Sequence, residues 1–422
     1  MRKAKEFFKN IIIFILVAVI LALMLLALPA KTITQSPFLS EVLAPFAAYL
    51  GINRAELTHA QQPTSTGKEA AEPIAITVKN AAGRSSFRYD AAAIDGAYET
   101  LGGLLAQALD TAQPPQPTTR ARMFDALGSV SAAFRYPGAL PSGALAAWLG
   151  VQSEIESIRA EIFVLSVSEG AVRLYLSGAE TYVCDTQLRA EELQSLCDTY
   201  RPDGSFFVFE DTSGRYSRVD GGSLLVAQPM LRTAVGVNPC DSRYATDLAA
   251  QLGFNPFGDA SYTDTAGNAF FSDSVGSVRI SADGQILVLN EDAERFAAGA
   301  DTDAARIEAA RSLLGKCLSG LLTDAQLSLL QCQREGEEVI CTFDYILNGT
   351  PVRRADGPAA SVHFVGTTLR SASIAVRTYT LQLDTLALLP SPQAAAIVPE
   401  GHELFICYAD NDGESLSAGW CV

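Results

Sequence analysis

Three histidines in 422 residues, His59, His363 and His402, leave no H-E-x-x-H signature, and the eight cysteines contain no C-x-x-C spacing. Zinc sites are built from imidazole and thiolate at such spacings, so neither a catalytic nor a structural metal centre is expected, and no cofactor motif takes its place. Basic residues are also scarce: 31 Lys and Arg stand against 47 Asp and Glu, a formal charge of −16 with a pI near 4.7. The chain therefore lacks the basic footprint that a phosphate backbone demands, and nucleic acid is not an expected partner. What is present is globular in composition, 48% hydrophobic and 18% charged. At roughly 100–200 residues per domain, two or three folded units are expected.

Residues Ile11 to Leu28 form an unbroken apolar run of 18 residues, long enough to cross a bilayer core as a helix. Arg2, Lys3, Lys5 and Lys9 precede it against a single Glu6, a local charge of +3 that leaves −19 for the rest. The positive-inside rule then predicts a cytosolic amino end (1–9), a single transmembrane helix (10–29) and an extracellular remainder. A secretory signal peptide is the rival reading, with Ala27-Leu28-Pro29-Ala30 as its cleavage site; the run exceeds the usual apolar region of such peptides. Within it, Ala18 and Ala22 make a small-xxx-small pair able to admit a second helix closely.

A stalk and linker are expected over 30–72, where Gln61-Gln-Pro-Thr-Ser-Thr-Gly has flexible composition. A first α+β domain follows over 73–230. Ile94, Tyr98, Leu101, Leu105 and Ala108 recur every three or four residues, predicting a helix over Ala91–Ala112 that Pro114-Pro115 ends. Val130, Ala132, Phe134 and Tyr136 alternate, predicting a strand. A small middle α+β domain is expected over 231–300, with a helix at Tyr244–Leu252 and a hairpin turning at Ala282-Asp283-Gly284-Gln285. Over 301–422, a helix capped by Asp301 or Thr302 precedes six alternating runs, predicting an antiparallel sheet with a helix on one face. The fold class expected is therefore α+β, a transmembrane helix followed by a multi-domain ectodomain.

Four chemical motifs have plainer explanations. Ser65-Thr-Gly-Lys68 matches a penicillin-binding nucleophile motif but lies in a polar linker without its K-T-G companion. Asp211-Thr-Ser-Gly214 and Asp264-Thr-Ala-Gly267 resemble paired aspartic-protease carboxylates, yet such residues are ordinary turn formers. Asp410-Asn-Asp412-Gly413-Glu414 lacks calcium-loop spacing and reads as a hairpin turn, as does Asn348-Gly349. No catalytic base and nucleophile are predicted in one pocket, and the chain is not expected to be an enzyme.

Eight cysteines on an outer face favour disulfides, since such bonds persist in oxidising compartments. If Gly336-Glu337 is a two-residue turn, Glu335 pairs with Glu338 and Cys332 falls opposite Cys341. If the turn is Glu335-Gly336, Cys332 faces Val339 and no bridge forms. Cys407 and Cys421, on the two final predicted strands, are a second candidate pair. Cys184 with Cys197 and Cys240 with Cys317 remain by elimination, and buried free thiols are the alternative throughout.

Glu338-Val-Ile-Cys-Thr-Phe-Asp-Tyr-Ile-Leu-Asn-Gly-Thr-Pro-Val352 resembles the strand, Asn-Gly turn and G-x-P-V element of the PepSY-like repeats in the YycH and YycI family of Gram-positive bacteria. The close, Phe405-Ile-Cys-Tyr408 to Trp420-Cys-Val, is similar to that family's final strand pair. Phe134-Arg-Tyr-Pro-Gly-Ala-Leu-Pro141 and Gly276-Ser-Val-Arg-Ile-Ser-Ala-Asp-Gly284 add weaker matches, and the layout is closer to YycH. The resemblance implies a PepSY-like C-terminal repeat and a non-enzymatic, membrane-anchored accessory protein. It further implies that the partner is a sensor histidine kinase of the WalK (YycG) type, with a YycI-like protein as a second partner, in a two-component system controlling the cell wall. The alternative is a PepSY-type ectodomain that binds a cell-wall polymer or inhibits an extracellular protease.

Overall fold

The computed structural model describes residues 70–422 apart from 293. The apolar run with Ala18 and Ala22, the linker and Ser65–Lys68 lie outside the described residues. Among the described residues no helix is long and apolar enough to cross a membrane.

The chain begins with β1 (Ala75–Asn80), β2 (Gly83–Arg88), α1 (Ala91–Asp110), β3 (Gln116–Thr118), α2 (Arg120–Gly128), β4 (Ser131–Pro141) and α3 (Ser142–Trp148). It continues through β5 (Arg159–Ser168), β6 (Ala171–Ser177), β7 (Thr181–Arg189), α4 (Ala190–Cys197) and a small hairpin, β8 (Phe206–Phe207) with β9 (Leu224–Leu225). Seven of these strands form one sheet, ordered β2-β1-β4-β5-β6-β7-β3. Helix α1 starts where the Asp90 carboxylate accepts from the Ala93 N–H at 3.3 Å, and it buries Ile94, Tyr98, Leu101, Leu105 and Ala108. Helix α2 lies on the other face, where Met123 and Leu127 meet Ile162, Val164 and Phe207. Both faces of β4 are therefore covered, which explains a strand apolar at successive positions.

The second part holds β10 (Leu231–Val237), α5 (Ser242–Gln251), β11 (Tyr262–Thr263), β12 (Ala269–Ser272), β13 (Gly276–Ile280), β14 (Gln285–Asn290) and α6 (Asp303–Cys317). After these come β15 (Ala325–Glu335), β16 (Glu338–Leu347), β17 (Thr350–Arg354), β18 (Ala360–Val365), β19 (Thr368–Ala375), β20 (Thr378–Leu386), α7 (Ser391–Ile397), β21 (Phe405–Asp410) and β22 (Ser415–Cys421).

The α+β expectation requires correction, because strand accounts for about 41% of the described residues and helix for about 23%. A thirteen-stranded sheet runs β11-β12-β13-β14-β19-β18-β16-β17-β21-β22-β10-β20, with β15 also on β16. Strand β14 pairs with β19, and β10 pairs with both β20 and β22, so strands from 231–300 and 301–422 interleave in one sheet. The multi-domain ectodomain with a C-terminal repeat of its own gives way to this shared sheet. Period-2 runs that read as separate hairpins find partners far away in sequence, where their exposed edges are satisfied.

One apolar core continues from Ile76 and Phe134 to Val288, Val339 and Phe364, joining the two sheets. Polar contacts reinforce that junction. Arg159 donates to the Cys332 carbonyl and to Asp303 at 2.6 Å, and Arg334 reaches Asp303 at 3.1 Å. Arg306, fully buried, donates to Asp301 and to the Gly366 carbonyl at 2.7 Å. A second core gathers Tyr345, Tyr379, Ile406, Tyr408 and Leu416 under strands β16, β20, β21 and β22.

Candidate functional site

The residues singled out from sequence separate rather than converge. Cys332 lies directly opposite Cys341 because Glu335 pairs with Glu338, and Gly336, at φ +67°, opens the turn. Their sulfurs lie 3.6 Å apart as thiols, both buried. Cys407 and Cys421 form a disulfide across β21 and β22 with Cα atoms 6.0 Å apart. Cys184, Cys197, Cys240 and Cys317 are free thiols. Burial is the main cause that pushes each of these four up to about 12, and Cys341, whose thiol donates to Cys332, is also pushed up. Thiolate is the reactive form, so these thiols are inert at neutral pH. We expect little reaction with Ellman's reagent on the native chain and six reacting thiols after denaturation without reductant; a count of four would place a second disulfide at Cys332–Cys341.

The acidic motifs are turn structure. Asp211 accepts from the Ser213 N–H at 3.0 Å, and Asp264 from the Ala266 and Asn268 N–H groups at 2.9 Å each. Asp410 is taken by Arg377 and Tyr379 inside the second core. His363 sits on β18 with Nε2 3.4 Å from a Glu338 carboxylate oxygen. Among the described residues, no three His, Cys, Asp or Glu side chains cluster as a metal site would require.

A different surface stands out once the register is known. Over β12, β13, β14, β19, β18 and β16 one face of the sheet carries Phe271, Val278, Val288, Ile374, Val362 and Cys341 into the core. The other face is turned to solvent. Side-by-side pairing places Tyr262, Phe270, Arg279, Leu287, Ser373, Ser361 and Thr342 in one continuous row. A neighbouring row runs Ser277, Leu289, Ser371, His363, Ile340. At the outer end these rows bring together Tyr262 (59% exposed), Leu287 (40%) and Leu289 (47%) around a shallow trough of about 260 Å³. Tyr262 and Phe270 stack with ring centroids 4.8 Å apart, and the Arg279 guanidinium lies 5.5 Å from the Phe270 centroid.

Singly exposed apolar residues need no explanation, but Leu287 and Leu289 stand side by side on the solvent face of β14, with Tyr262 and Phe270 beyond Arg279. Aromatic and arginine side chains held in fixed rotamers are also the residue types that anchor protein interfaces. Next to the patch, β11 is a two-residue edge strand, leaving open backbone groups beside it. A sequence signal for the patch existed in Gln285-Ile-Leu-Val-Leu-Asn290. A strand apolar on both faces is ordinarily buried on both, and here the face of β14 that carries Leu287 and Leu289 is bare.

Compared with known proteins, the chain matches no family model, no curated protein and no solved structure.

Proposed function

We propose that the chain is a regulatory binding protein held at the outer surface of the cell membrane through its apolar run Ile11–Leu28, where it acts on a sensor histidine kinase of the WalK type. The observation that supports this reading is the uncovered patch of Tyr262, Phe270, Leu287 and Leu289, which offers apolar area to a macromolecular partner. The direction of the partner comes from the resemblance to YycH and from the sharp charge asymmetry about residue 29. The chemistry required is differential contact. A regulator shifts a kinase between signalling states only by binding one state more tightly than the other, and a tenfold shift needs about 1.4 kcal/mol of difference.

Partial burial of two leucines on a partner contributes that amount, at about 25 cal/mol per Å² of apolar surface. Replacing both by aspartate removes the gain and adds charges that the partner must desolvate. The Leu287→Asp/Leu289→Asp chain is expected to bind the kinase's purified extracellular sensor domain at least about 30-fold more weakly, while Leu383→Asp, on exposed β20, leaves binding unchanged. Equal binding by wild type and the double variant, or no binding by either, would overturn the reading. Folding is monitored in parallel by circular dichroism.

A further inference from the structure

A second concavity lies elsewhere, on the face of the seven-stranded sheet beside α2, with a volume of about 460 Å³. Its floor is a register row across β5, β6 and β7, in which Ser166 faces Arg173 and Arg173 faces Asp185. Its wall is α2, which presents Arg122 and Asp125. Residues three apart on a helix are surface neighbours, so these two opposite charges border the groove side by side.

The charges divide into two sets. Arg173 is already engaged, donating to Asp185 at 3.0 Å and to the Ser168 hydroxyl and Glu169 carboxylate at 3.3 Å each. Arg122 and Asp125 make no side-chain ion pair among the described residues, and both are exposed. The Thr118 hydroxyl at the groove's edge is enclosed and has no hydrogen-bond partner among the described residues. Among the described residues, the groove thus offers the unpaired guanidinium of Arg122 and the unpaired carboxylate of Asp125.

That inventory discriminates between ligand classes. A simple anion would find Arg122 but would stand against Asp125 and Asp185. A simple cation would meet the reverse. A ligand bearing both charges, separated by a short spacer, meets both charges of the α2 wall without an uncompensated charge, which is the costly outcome in any partly desolvated site. The cavity is of a size that takes small ligands and exceeds what a single amino acid fills. We propose that this groove is a binding site for a short zwitterionic peptide of about two or three residues, its carboxylate on Arg122 and its ammonium on Asp125.

The test uses the purified full chain and isothermal titration with Ala-Ala-Ala, N-acetyl-Ala-Ala-Ala and Ala-Ala-Ala-amide. Saturable binding is expected only for the free tripeptide below about 1 mM, with each capped form at least about tenfold weaker. Arg122→Gln is expected to bind the free and amidated peptides equally, since the carboxylate has lost its partner. Asp125→Asn is expected to bind the free and acetylated peptides equally. Both positions are exposed, so neither variant threatens folding. No saturable binding up to about 10 mM, equal binding of all three peptides by wild type, or capped-to-free ratios unmoved by both variants would overturn the proposal.

Discussion

Asp410→Ala is expected to destabilise the chain by about 3–5 kcal/mol, because it strands a buried guanidinium. Arg377 and Asp410 are 7% and 1% exposed. Two parallel bonds of 3.0 Å join them, from Nε and Nη2 of the arginine to the two carboxylate oxygens. Arg377 also donates to the Gly413 carbonyl at 2.7 Å and the Gly236 carbonyl at 3.3 Å, and Tyr379 donates to Asp410 at 2.7 Å. Burial, reinforced by the Asp410 carboxylate, pushes the Tyr379 hydroxyl upward, so it remains a donor at neutral pH.

These bonds converge from β10, β20, β21 and the turn before β22, strands that only tertiary pairing brings together. Removing the acid leaves the Arg377 charge buried with only the Gly413 and Gly236 carbonyls as acceptors, whereas removing both charges strands none. The double variant Asp410→Ala/Arg377→Met is therefore expected to recover more than half of the loss. Urea unfolding followed by circular dichroism measures both. A single-variant loss below about 1 kcal/mol would show that solvent reaches the site and that the pair contributes as a surface pair does.

The second large effect concerns the junction of the two sheets. Strand β4 changes register between Arg135 and Leu140, and β15 changes register between Leu329 and Gln331. The two irregular stretches press backbone against backbone. A Cβ on Gly138 would lie 1.8 Å from the Leu330 carbonyl oxygen and 2.6 Å from its carbon. Nothing flexible is available to yield, so Gly138→Ala must part the sheets locally, at a cost of about 3 kcal/mol or more. Gly128→Ala, with nothing within 4 Å of the added carbon, is the matched control and is expected to stay within about 0.5 kcal/mol of wild type.

Hydrogen exchange should show the damage first in β15, whose amides next to the contact lose protection. Unchanged protection in β15 would mean that the contact does not hold the sheets. The same junction should weaken in acid. Burial pushes the Asp303 carboxyl upward, but the bonds from Arg159 and Arg334 outweigh it and hold the group below the ordinary aspartate range. A depressed folded value contributes stability that is present above the unfolded aspartate pKa near 4 and is lost as pH falls through the folded one.

Local structure was legible wherever the reason for it was local. The three-and-four spacing from Ile94 to Ala108 predicts α1, and the Thr302 hydroxyl accepts from the Ala305 N–H at 3.2 Å at the start of α6, as one of the two expected caps. The hairpin at Gly336 was legible only up to a choice between two turns, and the difference is one residue of register. That one residue decides whether Cys332 meets Cys341 or Val339. The stretch Ser205–Glu210 pairs as a strand only at Phe206–Phe207 before a single tight turn at Val208–Glu210. There the Glu210 carboxylate accepts from the Phe207 N–H at 2.9 Å and bends the chain.

The apolar run Ile286–Leu289 was visible in the sequence, but which of its faces stays bare was not, and neither was the polar groove. Leu287 and Leu289 are indistinguishable in sequence from core leucines, and their exposure follows from which face β14 turns to β19 and to the helices. Arg122 and Asp125 look like ordinary helix-surface charges until β3, β5, β6 and β7 assemble a floor beneath them.

By itself the sequence determined the acidic balance, the apolar run and its flanking charge, the positions of the main helices and strands, and the nearness of Cys407 to Cys421 only 14 residues on. Each of these depends on neighbours along the chain. The tertiary structure alone decided that strands of two expected domains share one sheet, that a buried arginine and aspartate meet across them, and that one sheet face stays uncovered. Alternating apolar residues specify that a strand must pair and bury one face, but they carry no label for the partner. That choice is made by the combined core, where every competing pairing leaves apolar surface or backbone groups unmatched.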